Sequence, residues 1–335
     1  MFALVADIGG TNARFALADL DGPLPTLHHA ESLPAAGFAS LQHVAEHYLS
    51  QLEKAPRTAA LAVACPVRDD AVRLTNRAWS FSRGELREAL RLERLLVLND
   101  FGAAAWTVPT LSEADSVPIY GPASLRREGP ISVLGPGTGL GVALLVGDDR
   151  IGWRVVETEG GHVGFAPHGT EEREIADWLI ARHGRVSNER VLSGSGLAQI
   201  DAALAQRKPG KLDTPDASLR DPADIVAAAL EGHDVSSRRA LARFCAILGS
   251  VAGDTALMHG ARTVMIAGGI VPRFIPFLRA SAFRERFLDK GRFAAYLESV
   301  SVRVITHPAP GLLGAALALR ADSSTRPVSP TQDSP

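Results

Sequence analysis

Apolar and polar positions divide the chain into short alternating blocks. Phe2–Ala6 is an apolar run, Asp7-Ile-Gly-Gly-Thr-Asn12 interrupts it, and Arg14–Leu20 resumes an apolar pattern. This order predicts a strand, a glycine turn and a second strand. The same order returns at Ile131–Leu134, Gly135-Pro-Gly-Thr-Gly139 and Val142–Val146. Two such units far apart in the chain predict a duplicated fold with two similar α/β domains, not a short-period repeat. Helical spacing is legible in Ser40–Leu52 through Leu41, Val44, Ala45, Tyr48 and Leu52. Ser82 with Glu85 predicts a capping box that opens a helix toward Leu90. Asp221-Pro222 supplies a cap and a first-turn proline for a helix to Leu230, with Gly232 beyond it. Ser236–Met258 is the longest helical candidate, and Gly311–Leu319 the last. Residues 321–335, rich in Ser, Thr, Pro and Asp, are expected to form a disordered tail.

Composition narrows the classes. The chain has 335 residues, which suits about two domains. Its 35 basic and 37 acidic residues nearly cancel, and no basic tract marks a nucleic-acid footprint. No run of 18 apolar residues occurs, so no membrane span is expected. Phe2–Ala6 is too short for a secretory core and ends in Asp7. Cys65 and Cys245 form no CxxC, which argues against a disulfide framework or a Cys-rich zinc site. Cys245 falls on the apolar stripe of its helix and Cys65 ends the apolar strand Leu61–Ala64, so both read as core residues. A reducing cytoplasm is the expected compartment.

Three glycine turns carry candidate phosphate chemistry. Gly9 and Gly10 would let backbone N–H groups face an anion, Thr11 adds a hydroxyl, and Asp7 could hold hydrated Mg2+. A plain hairpin with glycine at positive φ is the alternative. The Gly135–Gly141 loop is neither a Walker loop nor a dinucleotide fingerprint, because a strand follows where a helix should. One such turn per half fits a nucleotide clamped between two domains. Val264–Ile266 leads to Gly268-Gly269, where a flat ring could approach the backbone.

Polar candidates cluster elsewhere. The apolar run from Leu95 ends in Asn99-Asp100, at a strand's carboxyl end, where open α/β sheets carry ligands. Asp100 either caps the following helix, Phe101–Trp106, or accepts a proton from an alcohol that Asn99 orients. Glu159-Gly-Gly-His162 and Glu189 add carboxylates of the kind that bind vicinal hydroxyls. No second His or Cys stands at zinc-ligand spacing from His162.

Taken together, these blocks resemble the bacterial ATP-dependent glucokinase family. The resemblance rests on LVADIGGTNARFAL from Leu4, CPV at Cys65, LTN ending at Asn76, NDF at 99–101 and GPGTGLG at 135–141. It continues through EGGHVGFAP from Glu159, ERVLSGSGL from Glu189, AGGIVPR from Ala267 and PGLLGAALAL from Pro310. It implies a hexokinase-type α/β fold of two actin-like, ribonuclease H-like domains with a cleft between them. The smaller would take 1–109 plus 310–320 and the larger 110–309. It implies glucose and ATP as substrates, Mg2+ as cofactor, a place in glycolysis and a homodimer, with no nucleic-acid or membrane partner. Asp100 would be the catalytic base, and Asn76, Asn99, Asp100, Glu159, His162 and Glu189 would contact sugar. Asp7, Gly9, Gly10, Thr11, Asn12, Gly137 and Thr138 would serve phosphate and metal, with Gly268 and Gly269 near adenosine. Two isolated cysteines set the chain apart from related kinases and repressors with a Cys-rich zinc cluster. A sugar sensor without catalysis, another hexose acceptor and another phosphoryl donor are the competing readings.

Overall fold

The computed structural model describes residues 1–74, 78–122, 124, 127–205 and 219–324. It falls into two units, Met1–Thr110 with the chain from Pro308, and Leu111–His307. These boundaries lie one and two residues from those expected.

The first unit is built on one sheet. Its elements are β1 (Phe2–Ile8), β2 (Asn12–Asp19), β3 (Thr26–Pro34), α1 (Leu41–Leu49), β4 (Thr58–Val63), the hairpin β5 (Ala71–Arg73) and β6 (Ser80–Ser82), α2 (Arg83–Ala89), β7 (Arg94–Asn99) and α3 (Asp100–Thr107). The sheet order is β3-β2-β1-β4-β7, with β1, β4 and β7 parallel and the β1-β2-β3 meander antiparallel. Alternation along the strands sends Leu4, Ala6 and Ile8 to one face with Leu41, Val44 and Tyr48 of α1. Ala3 and Val5 go to the other face, with Leu312, Ala315, Ala316 and Leu319 of the C-terminal helix Pro310–Ser324. That helix corrects the expected tail: residues 321–324 continue it, and Arg94 of β7 binds the Leu319 carbonyl at 3.2 Å and the Asp322 carboxylate. Residues 325–335 lie outside the described residues. The Ser82 hydroxyl accepts the Glu85 N–H at 3.1 Å, one half of the expected capping box.

The second unit repeats the plan. It contains β8 (Ser116–Tyr120), β9 (Ile131–Pro136), β10 (Leu140–Asp148), β11 (Gly152–Thr158), α4 (Gly169–His183), α5 (Asn188–Val191), α6 (Gly194–Leu204), α7 (Pro222–Glu231), α8 (Val235–His259), β12 (Thr263–Ile266), α9 (Ile275–Ala280), α10 (Phe283–Leu288), α11 (Ala294–Glu298) and β13 (Ser301–Ile305). The order β11-β10-β9-β12-β13 matches that of the first sheet strand for strand, with an antiparallel β8 added beside β13. The duplication expected from the two glycine turns is therefore present. Asp234 caps α8, and Asp221 with Pro222 opens α7 as the sequence predicts.

By length and composition α8 could cross a membrane, contrary to the expectation from apolar runs. Arg238, Arg239, Arg243 and Asp254 interrupt the run without removing the apolar average. Two-thirds of that stretch is buried in this unit's own core, where Leu241, Phe244, Cys245 and Leu248 pack, as expected of a core helix. Burial pushes the Cys245 thiol up to about 12, so it stays an inert thiol.

Candidate active site

In the first unit the candidate residues share one edge of the sheet. Because β1, β4 and β7 are parallel, their carboxyl ends lie together: Ile8 pairs with Val63, and Val63 with Asn99. Two strand spacings put the Asp7 and Asn99 positions roughly 10 Å apart. Asn99, not Asp100, is the cap of α3: its side-chain oxygen accepts the Phe101 N–H at 2.9 Å and the Gly102 N–H at 3.3 Å. Its amide donates to the Cys65 carbonyl at 3.2 Å, tying the ends of β4 and β7. Asp100 is the first residue of α3, half-buried, with one carboxylate oxygen accepting the Phe101 N–H at 2.9 Å. Negative charge is favoured in a helix's first turn.

Asp7 is the next-to-last residue of β1, half-buried, and burial raises its pKa while the Arg14 guanidinium, 3.6 Å away, pulls it down. The C-terminal helix closes over it. A Cβ at Gly311, the second residue of that helix, would stand 2.7 Å from the Asp7 carboxyl carbon, so a side chain there would displace the carboxylate. The first glycine turn is tighter than expected. Asn12 already belongs to β2, Gly9 N–H is spent on the Asn12 carbonyl at 3.0 Å, and the Thr11 carbonyl accepts the Ala35 N–H at 3.0 Å. Gly9 has no positive φ, and a Cβ there would meet only ordinary contact at 3.5 Å. The hairpin alternative, glycine for its φ, therefore does not account for Gly9. Asn76 lies outside the described residues.

In the second unit the polar residues sit on a turn after β11 and on the short helix α5. Glu159-Gly-Gly-His162 forms a turn after β11 that packs on Leu140 and Val142 of β10. His162 stands between two carboxylates, with Nε2 3.9 Å from Glu159 and Nδ1 3.9 Å from Glu189. The His162 and Glu159 side chains are about half exposed, and Glu189 is less so. The turn is anchored to the segment that carries Glu189. Asn188 N–H donates to the Val163 carbonyl at 2.9 Å, and Gly164 bridges Ser187. Arg185 donates to the His162 carbonyl at 2.8 Å. Arg185 carries no signal in the sequence, where it reads as one more solvated charge.

The second glycine turn repeats the closure of the first. Gly137 N–H donates to the Gly139 carbonyl at 2.7 Å, and Gly194 at the start of α6 donates to the Gly137 carbonyl at 2.9 Å. Thr138 lies between those glycines. Leu140 N–H donates to Glu189 at 2.9 Å. Gly268 turns the chain after β12 at φ 91°, held close to Pro136. Like Gly9, Gly137 and Gly269 have no left-handed φ, and a Cβ at either of these two would meet nothing closer than 4.0 Å. Among the described residues neither crowding nor a left-handed φ asks for glycine at these three positions. A ligand lying close to the backbone would. Among the described residues no group of three or more His, Cys, Asp or Glu is arranged to hold a metal.

Comparison with known proteins identifies the family of the chain. The sequence profile of the glucokinase family matches residues 4–322. A glucokinase of Tolumonas auensis is 43% identical over 322 residues, spanning 95% of this chain and 96% of that protein. A glucokinase of Cronobacter sakazakii is 43% identical over 95% of the chain and 97% of its own length. Among solved structures, a glucokinase from an Antarctic psychrotroph superposes with a TM-score of 0.79 at 37% identity, covering 96% of this chain and 99% of that one. A ROK family glucokinase from Streptomyces griseus, solved with glucose and AMPPNP, shares the fold at 17% identity and a TM-score of 0.64, covering 96% and 100%.

Proposed function

Since the chain belongs to the glucokinase family, with the fold of its two actin-like units, we propose that it transfers the γ-phosphoryl group of ATP to the 6-hydroxyl of glucose, with Asp100 as the base. The products are glucose 6-phosphate and ADP. The observation that supports Asp100 is the division of labour at the carboxyl end of β7. Asn99 is the cap of α3, accepting the Phe101 and Gly102 N–H groups, and Asp100, whose Oδ1 shares the Phe101 N–H, is the carboxylate that this strand end presents. The alcohol proton passes to the Asp100 carboxylate as the sugar oxygen bonds to the γ-phosphorus and the bond to the ADP oxygen breaks. The transition state is loose, so positioning and charge do most of the work, and proton removal is late.

Glu159, His162 and Glu189 accept or donate to the remaining sugar hydroxyls, and the Gly9–Thr11 and Gly137–Thr138 turns lie along the phosphates. Gly268-Gly269 takes the adenosine. Mg2+ fits a site with one carboxylate and no protein cage: Asp7 would hold it through water, with the nucleotide oxygens completing its shell. When bound it neutralises charge on the phosphate oxygens. Asp7, whose charged form is disfavoured by partial burial, is an acceptor that gains from a cation nearby. The two buried thiols agree with a reducing cytoplasmic compartment, and the family resemblance with a homodimer.

ADP release measured with a panel of hexoses and several phosphoryl donors tests the reading. Turnover confined to glucose and ATP with Mg2+ is expected. Turnover with another hexose and none with glucose would reject it. Scattering-detected gel filtration at twice the chain mass is the expected result for the dimer.

A further inference from the structure

We propose that Gly139, in the turn assigned to phosphate, is a positioning residue for the sugar: it leaves the space in which the Glu189 carboxylate lies. This rests on the reading of Glu189 as a sugar ligand. A Cβ on Gly139 would collide with Glu189 Oε2 and stand 3.2 Å from its carboxyl carbon. That same Oε2 accepts the Leu140 N–H at 2.9 Å. With one oxygen fixed by backbone, the carboxylate has one orientation, and Oε1 is the atom that faces His162 Nδ1 at 3.9 Å. The main chain of Glu189 is tied to the same turn. Its carbonyl accepts the Ser193 hydroxyl at 2.9 Å, and Gly194 binds the Gly137 carbonyl at 2.9 Å. The Gly137–Leu140 turn therefore supports the nucleotide on one side and aims a sugar carboxylate on the other. Gly139 itself has ordinary φ, so the need for glycine there is one of space.

The test is a double-mutant cycle on the whole enzyme, with KM for glucose and for ATP measured separately from kcat. Gly139→Ala is expected to raise the glucose KM about tenfold or more and to move the ATP KM by less than about twofold. Glu189→Asp draws the carboxylate back by one methylene, so in that background Gly139→Ala should shift the glucose KM by less than about threefold. A rise in ATP KM with an unmoved glucose KM would overturn the proposal, as would effects that simply multiply. If Gly139→Ala is insoluble, the double variant decides: recovery of a soluble enzyme supports the collision with Glu189, and continued insolubility overturns it. Glu189→Ala with an unmoved glucose KM would remove the sugar role of Glu189 and the proposal with it. A raised glucose KM in Glu189→Ala beside an unaffected Gly139→Ala removes the positioning role alone.

Discussion

The two units share a sheet plan but mount their polar residues differently. In the first, Asp7 stands next to last in a strand and Asp100 begins a helix. In the second, Glu159 and His162 sit on a short turn, and Glu189 on the four-residue α5 that backbone hydrogen bonds join to it. Each unit also has a glycine whose missing side chain is filled by a carboxylate: Gly311 by Asp7, Gly139 by Glu189. The first pairing seats a strand-end acid under a long helix, and the second hangs an acid on a turn. Regular elements hold groups more tightly than loops do. On the roles proposed above, bond-making geometry falls to the stiff mount and hydroxyl recognition to the adjustable one.

Four changes would break or sharpen this contrast. The largest effect is expected in the second unit, away from its turns. Glu172 of α4 is fully buried and binds Arg286 at 2.6 and 3.2 Å, Arg243 at 3.1 Å and the His168 N–H at 2.8 Å. Burial alone would raise its pKa, but these partners outweigh it and hold it below the ordinary 4.5. Glu172→Ala leaves buried arginine charge behind and should cost ~3–5 kcal/mol, read by denaturant unfolding. A depressed carboxylate stabilises the fold above its unfolded pKa. The wild-type advantage over the variant should therefore be full above 4.5 and vanish as the pH falls through the lower folded value.

Next comes Asp100→Ala, which should lower kcat by at least ~10²-fold with less change in glucose binding. Near-wild-type turnover would reject Asp100 as the base and the stiff-mount idea with it. Glu159→Gln should act the other way, raising the glucose KM by about tenfold while kcat moves less; an unchanged KM counts against its sugar role. The smallest effect is in Asp7→Asn. Because burial raises the Asp7 pKa, its ionised form costs stability at neutral pH, and the cost eases as pH falls toward its folded pKa. The amide should therefore raise Tm at pH 7 while reducing turnover. A lowered Tm would show that Arg14 outweighs burial.

Much of this was legible in the sequence because the signals are local. Glycine turns between apolar runs, caps at Asp221 and the stripe on α8 need only neighbouring residues to be read. The roles of Asn99 and Asp100 were harder, since both residues suit a helix start and only the backbone path decides which one caps. The link from Glu189 to Leu140 spans 49 positions and leaves no periodic trace. Glu171-Glu172 reads as solvated charge until arginines 71 and 114 positions away are brought to it. The last helix runs past its expected end because Asp322 and Ser323, which read as tail, are bound by Arg94, a partner that composition cannot foresee.

The return of the chain to the first unit has a consequence for synthesis. One face of that sheet is covered by Leu312, Ala315, Ala316 and Leu319, which leave the ribosome long after β1 to β7. Until then Ala3, Val5, Ala60 and Ala62 have only part of their second layer, Ala103 and Trp106 of α3. The segment 111–307 can finish its own core first, so the earliest part of the message to be translated is the last to become a stable body.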